Sequence, residues 1–431
     1  MKKIAILLLI VLPLMTAFSQ NAKVTNAINY LKAYKSDNSL ESLQKAKENI
    51  DLVSQNPEFK DQPKVLKLKG DIYVELFESN LQAETKKLSS IADPGARSLA
   101  AYKATPTAEL DEAATAYAAA KANDKKGIYA LEVSNGNVRI LNHYFNKGNG
   151  NFNDQKFADA LQMYEKASAL DETNDTSLLN NMAASALYAK DFAKSKANYS
   201  KMAELKVGGA STYNSLVHSY FNLKDTTGGM DVLKKGRTLY PGDGDLLNTE
   251  TNYYLAKNKS EEALKNLNVA ITARPQEATL YLVRGGVYDK MANPVDANGK
   301  DLPKPANVAE LMKSSEADYK KAISIYETAK PENAEDAEQL KISYSSALFN
   351  LGIIYFNNGA NISKSADKIT DNAKFAAENK KANEEFNKAL PYLEKAHQLK
   401  PDAQTVYALK QIYTRLEMTA KLKTLNDGMK N

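Results

Sequence analysis

Three stretches decide the fold: FAKSKANYSKMAE (192–204), TTGGMDVLKKGRTLYP (226–241) and SEEALKNLNVAITARP (260–275). Aligned on Ser195, Gly229 and Ala263, which stand 34 residues apart, each carries a large apolar residue four places on, Tyr199, Leu233 and Leu267. A compact or flexible residue follows three places later, Met202, Gly236 and Ala270, and the last two stretches close on Pro241 and Pro275. Spacings of three, four and seven lie on one face of a helix. The small residue marks where two helices cross closely, and the large one fills the hole beside it.

The register extends in both directions. Ala160, Tyr164 and Ala167 stand one repeat earlier, and Ala113, Tyr117 and Ala120, then Ala46, Ile50 and Val53, precede them. Downstream come Ala322, Tyr326 and Ala329, and Ala389, Leu393, Ala396 and Pro401. A second helical stripe precedes several of these helices: Leu66, Gly70 and Tyr73; Tyr213, Leu216 and Tyr220; Leu348, Leu351, Gly352 and Tyr355. A helix pair repeating about every 34 residues cannot bury its apolar stripe alone, whereas a stack of pairs can.

On these residues the chain resembles the tetratricopeptide-repeat (TPR) superfamily, and more narrowly exported bacterial TPR proteins. The resemblance implies an all-α fold, an α-solenoid winding as a right-handed superhelix, with about eight helical pairs and a C-terminal capping helix over residues 20–431. The most regular repeats span about 176–276. Insertions at about 77–110, 292–316 and 358–383 separate the helices of three pairs. Asn293, Pro294, Asn298, Gly299, Pro303 and Pro305 make the second a loop, while 311–329 and 373–398 read as long second helices.

Residues 1–19 read as a cleavable signal peptide. Lys2 and Lys3 precede a short apolar run, Ile4 to Met15, broken by Pro13, and Ala17-Phe18-Ser19 provides the small-x-small site. The run is too short to span a bilayer, so the mature chain is expected to be exported, periplasmic or secreted, with no stable membrane span. The chain has no cysteine, hence no Cys-linked lipid anchor, disulfide or thiol chemistry. A net charge of +5, with only six arginines, argues against nucleic acid as a partner.

No chemistry-bearing motif emerges. His143, His218 and His397 lie far apart without metal-ligand spacing, and no nucleophile elbow, Walker A run or dinucleotide fingerprint is present. Gly148-Asn149-Gly150 reads as a turn between helices. Gly242-Asp243-Gly244-Asp245 lacks the remaining ligands of a calcium loop, and Glu261-Glu262 and Glu384-Glu385 read as solvated charge. The expectation is therefore no enzyme activity, no metal and no cofactor.

The resemblance implies instead a scaffold that binds a protein or peptide on the concave face formed by the first helix of each pair. Asn180, Asn214 and Asn248 recur there at intervals of 34, and Tyr-Phe-Asn recurs as Tyr144-Phe145-Asn146, Tyr220-Phe221-Asn222 and Tyr355-Phe356-Asn357. The tyrosine fits the packing position; the Phe and Asn are expected to face the groove, as in asparagine ladders that pair with an extended peptide. Three amide hydrogen bonds would supply roughly the −4 kcal/mol of a millimolar complex, so apolar contacts must add to them. A helical glycan receptor is the alternative reading, weakened by the absence of tryptophan.

Overall fold

A computed structural model of the chain describes residues 21–296 and 298–427. The expected leader, residues 1–19, lies outside the described residues. The described residues form helices joined by short links, with one isolated antiparallel bridge, Val295 to Asp301, in the predicted loop. The paired, all-α arrangement implied by the TPR resemblance is the one observed. None of these helices is long and apolar enough to cross a membrane.

The chain divides into two compact units, the first ending at Gly236 and the second starting at Arg237. In unit 1 the pairs are α1 (residues 21–37) with α2 (Leu40–Ser54), α3 (Pro63–Lys87) with α5 (Ala108–Asn123), α6 (Ala130–Asn153) with α7 (Phe157–Ser168), and α8 (Thr176–Tyr188) with α9 (Phe192–Glu204). Next come α10 (Gly209–Asn222) and α11 (Thr226–Leu239), within which the unit ends. A further helix, α4 (Pro94–Ala104), is inserted between α3 and α5.

Unit 2 pairs α12 (Gly244–Ala256) with α13 (Ser260–Ala273), α14 (Ala278–Ala292) with α15 (Val308–Thr328), and α16 (Ala334–Ala366) with α17 (Asn372–Leu399). It closes with α18 (Ala403–Arg415) and the short α19 (Thr419–Asp427), a pair where the sequence suggests one capping helix.

The small-large-small triads are the core of the second helices. Ala46, Ile50 and Val53 are fully buried, as are Ala389, Leu393 and Ala396, and every other triad follows except one. Ser195, standing where alanine is usual, is satisfied by a 2.7 Å hydrogen bond between its hydroxyl and that of buried Ser219. The exception is Ala329, which is exposed and lies just past α15 in an extended conformation. Pro331 follows closely, and its ring disfavours helical backbone at Lys330, so α15 stops short of the third position.

Two other expectations need correction. Gly148-Asn149-Gly150 is not a turn but lies within α6. Added Cβ atoms would meet the Tyr164 ring at 2.6 Å from Gly148, and the Leu99 carbonyl of α4 at 3.2 Å from Gly150. Both glycines thus serve close helix approach. The 358–383 segment is also no separate insertion: α16 continues to Ala366 and α17 begins at Asn372, extending one antiparallel hairpin.

Turn geometry separates regular pairs from elaborated ones. The links within α1/α2, α6/α7, α8/α9, α10/α11, α12/α13 and α18/α19 each place one non-glycine residue at positive φ: Asn38, Gln155, Lys190, Lys224, Asn258 and Glu417. Among the described residues, the remaining pairs, α3/α5, α14/α15 and α16/α17, have no such residue between their helices. A second recurring device joins neighbouring pairs. Tyr73 donates to Asp51 at 2.8 Å and Tyr144 to Asp111 at 2.6 Å in unit 1, while Tyr355 donates to Glu316 at 2.7 Å and Tyr413 to Glu394 at 2.9 Å in unit 2. Each runs from a first helix to the preceding second helix. Burial and the Asp51 carboxylate push the Tyr73 hydroxyl up to about 12, keeping it a donor.

Candidate functional site

In unit 2 the first helices α16 and α18 enclose a groove of about 310 Å³ lined by Phe349, Ile353, Phe356, Asn357, Ala403, Gln404, Tyr407 and Ala408. Phe349, Ile353 and Phe356 form a single stripe, at intervals of four and three, on α16. The Phe356 ring also meets Phe386 of α17 edge-on, with centroids 5.7 Å apart, which holds it in place. Tyr407, 62% exposed, is the wet wall, and the Asn357 and Gln404 amides supply hydrogen-bonding groups beside the apolar floor. Such a surface suits an apolar side chain whose flanking backbone can reach an amide.

In unit 1 the inserted α4 packs on the first helices α3 and α6. A half-buried polar network holds it there. Arg139 of α6 reaches Glu75 at 3.0 Å and Glu78 at 2.7 Å, both on α3; the His143 ring contacts Glu78 through Nε2 at 2.9 Å and the Tyr102 hydroxyl of α4 through Nδ1 at 3.0 Å. Burial opposes the ionised Glu78 carboxyl, but hydrogen bonds from His143 and Arg139 outweigh it and bring that group down to about 2. Lys147 donates to the carbonyls of Tyr102 at 2.8 Å and Thr105 at 2.6 Å, placing a cation on the C-terminal end of α4.

Beside α4 a second pocket of about 310 Å³ is lined by Leu99, Asn149, Phe152, Asn153, Tyr164 and Asn181. Its amides come from α6 and α8, and Tyr164 donates to Asn149 at 2.7 Å. A wider cleft, about 930 Å³, lies among α17, α18 and α19; its walls include Pro401, Ala403, Val406 and Leu425, and its Glu394 and Lys421 pair at 2.7 Å.

The residues singled out from sequence are placed as follows. Phe356 and Asn357 line the unit 2 groove. Asn180 is exposed on α8, while its neighbour Asn181 lines the amide pocket. Asn214 of unit 1 and Asn248 of unit 2 are half-buried on α10 and α12. Phe145 is half-buried with its ring 5.7 Å from Tyr164, and Asn146 donates to the Tyr102 hydroxyl at 3.3 Å, which makes it part of the α4 attachment. Phe221 lies over Gly229 of its partner helix, and Asn222 donates to the His218 carbonyl of its own helix at 2.8 Å. Sequence reasoning missed Phe349, Ile353, Gln404 and Tyr407, although the stripe ending at Phe356 was open to periodicity analysis. Among the described residues no group of three or more His, Cys, Asp or Glu could hold a metal ion.

No protein-family model matches the chain, and no curated protein matches it. Solved structures similar to the chain include three of low identity. One is YrrB, described as a TPR protein with an unusual peptide-binding site: 16% identical, covering 43% of this chain and 86% of that one, TM-score 0.32. Another is a tetratricopeptide repeat protein from Parabacteroides merdae, 13% identical over 78% of this chain and 99% of that one, TM-score 0.35. A third is a TPR repeats protein from Bacteroides fragilis, 20% identical over 64% and 98%, TM-score 0.26. The fold described above rests on this chain's own helix pairs.

Proposed function

We propose that the chain is a non-catalytic, exported scaffold that holds a protein or peptide partner against the first-helix face of its repeats. The observation that carries this reading is the α16/α18 groove, where three apolar side chains at helical spacing meet an exposed tyrosine and two amides. A buried apolar anchor of this kind contributes about 1.5–3 kcal/mol, which with one or two backbone-to-amide hydrogen bonds gives a low-affinity site that a second contact must strengthen. The short basic and apolar run at residues 2–15 supports export, and a chain without cysteine is indifferent to the redox state of the compartment.

The test places a photo-crosslinking phenylalanine analogue at Tyr407 of the full chain in cells, with the same analogue at Leu52, exposed but far along the sequence in unit 1, as control. A discrete partner band at Tyr407 that is lost with Phe349→Ala and Phe356→Ala supports the reading. Identical products from Tyr407 and Leu52 would sink it. The N-terminus of the protein recovered from the cell envelope is expected at Gln20; recovery of the chain with its first residues intact from the cytosol refutes export.

A further inference from the structure

We infer that the α16/α18 groove of unit 2 selects an acidic segment of its partner, an apolar side chain on the groove floor with Asp or Glu side chains about three residues away. This rests on the scaffold reading above and names the ligand chemistry of that groove. An imbalance of charge points to it. From Gln339 to Ala366 α16 has no acidic residue, and α18 has none at all, while these segments carry Lys341, Lys364, Lys410 and Arg415. Lys341 is paired with Glu338 at 3.7 Å. Among the described residues, Lys364, Lys410 and Arg415 have no carboxylate partner.

The groove continues beyond its apolar floor. Ser363 stands seven residues past Phe356 on α16, and Arg415 seven past Ala408 on α18, so both walls run on for about 10 Å to a polar end. There the exposed Arg415 guanidinium is held by neutral oxygens alone. Its Nη1 donates to the Ser363 hydroxyl at 2.9 Å, Nη2 to Asn379 Oδ1 at 2.5 Å and Nε to Asn383 Oδ1 at 3.1 Å. It also lies 5.9 Å from the centre of the Phe386 ring, the ring that meets Phe356, so the cation adjoins the floor. A flexible lysine would suffice to answer the helix dipole at this terminus. Contacts from two other helices instead aim the fork and leave two of its five N–H groups unused, beside the Nδ2 donors of Asn379 and Asn383.

The neighbouring acids do not cancel this charge. On α17, Glu378 is answered by Lys381 at 2.6 Å, and Glu385, with Glu384 beside it, by Lys388 at 2.5 Å. Asp371 caps α17. Asp367 and Glu417, just past the ends of α16 and α18, are outnumbered by Lys364, Lys368 and Lys410, which leaves the guanidinium uncompensated. The occupant follows. Phe349, Ile353 and Phe356 seat one apolar side chain, and about 10 Å to the polar end is three residues of extended chain at about 3.3 Å each. Lys410 lies one turn beyond Tyr407 and Lys364 two turns beyond Asn357, so both walls carry charge. Acidic side chains, which can supply several carboxylates along a segment, match that spread better than the single carboxylate of a chain terminus.

The test titrates the full chain, by microscale thermophoresis at low and moderate salt, with amidated peptides in which Gly-Ser separates one leucine from a Glu-Glu pair, in both chain orders. The same peptides with Lys-Lys are the controls. The expected result is saturable binding of at least one Glu-Glu order, about tenfold or more weaker binding of its Lys-Lys counterpart, and weakening with salt. Arg415→Gln, at an exposed position, is expected to weaken Glu-Glu binding about fivefold, Arg415→Glu to reverse the preference, and Phe356→Ala to weaken both, with the circular dichroism spectrum unchanged. A leucine peptide with a free C-terminal carboxylate and no acidic side chain is expected to bind more weakly than the Glu-Glu peptide; equal affinity overturns the side-chain assignment. Equal affinity for Glu-Glu and Lys-Lys, no saturable binding of either, or full affinity in Arg415→Gln overturns the proposal. A discrete partner band at Tyr407 that persists beside such a result keeps the scaffold reading, so the two fail separately.

Discussion

Tyr117 is wedged between two glycines, and the consequence can be put in numbers. Its ring, 1% exposed, lies between α3 and α6: a Cβ added at Gly70 would stand 2.3 Å from Cε1, and one added at Gly136 would stand 2.3 Å from Cζ. Gly70→Ala gains about 1 kcal/mol of helix propensity but overpacks the core at a cost of about 1–3 kcal/mol. The ring cannot retreat, because Gly136 occupies its other side, so the upper part of that range applies and the net cost is about 1–2 kcal/mol. In a Tyr117→Leu background the obstruction is gone and the same alanine becomes stabilising by up to ~1 kcal/mol. The two substitutions are therefore coupled by about 2 kcal/mol or more. A multi-unit repeat chain has no single unfolding free energy, so the assay is hydrogen–deuterium exchange read on peptides from α3, α5 and α6, which reports local opening. An alanine effect of the same sign and size in both backgrounds would refute the reasoning.

Three further expectations concern α4 and the turns. Because the Glu78 carboxyl is depressed to about 2 from an ordinary value of 4.5, its contribution to docking α4 is complete above pH 4.5 and is lost as pH falls through about 2; exchange protection of residues 94–104 should fall across that window and do so less in Glu78→Gln. Gly150→Val drives a side chain into the Leu99 carbonyl and the Lys103 stem, so it should free α4, measured as faster cleavage within 94–104 by a protease while α8 and α9 stay protected. Lys190→Gly and Lys224→Gly, at left-handed φ of 62° and 63°, should each stabilise their own helix pair by up to ~1 kcal/mol, read as slower hydrogen–deuterium exchange in α8/α9 and in α10 respectively.

How much of this was legible in the sequence follows from the range of the interactions involved. The triads such as Ala160, Tyr164 and Ala167 were legible because burial at a helix crossing imposes residue size at fixed spacing. Gly148 and Gly150 misled because a glycine pair signals a turn locally, whereas here the need for small residues is set by Tyr164 and by the α4 backbone. Helix α4 had a signal in Asp93-Pro94, an N-cap followed by proline at the first helical position, but the face it would cover had none. The left-handed turns at Lys190 and Lys224 were invisible, since lysine carries no preference for that backbone and only helix packing demands it.

In the candidate site, Phe356 and Asn357 were within reach because they belong to a repeated tripeptide. Tyr407 and Gln404 were not, because their partners lie some fifty residues away in the preceding first helix. Asn180 and Asn181 show the limit most sharply. A helical rotation of one residue decides which amide lines the pocket, and periodicity alone does not fix it.

The inserted helix α4 also occupies part of the first-helix face of unit 1. A segment laid lengthwise across the first helices would meet α4 over α3 and α6, anchored by Lys147 and the Glu78 network. On the proposed scaffold reading, a strand crossing the first helices of unit 1 from end to end would have to displace one of the chain's own helices.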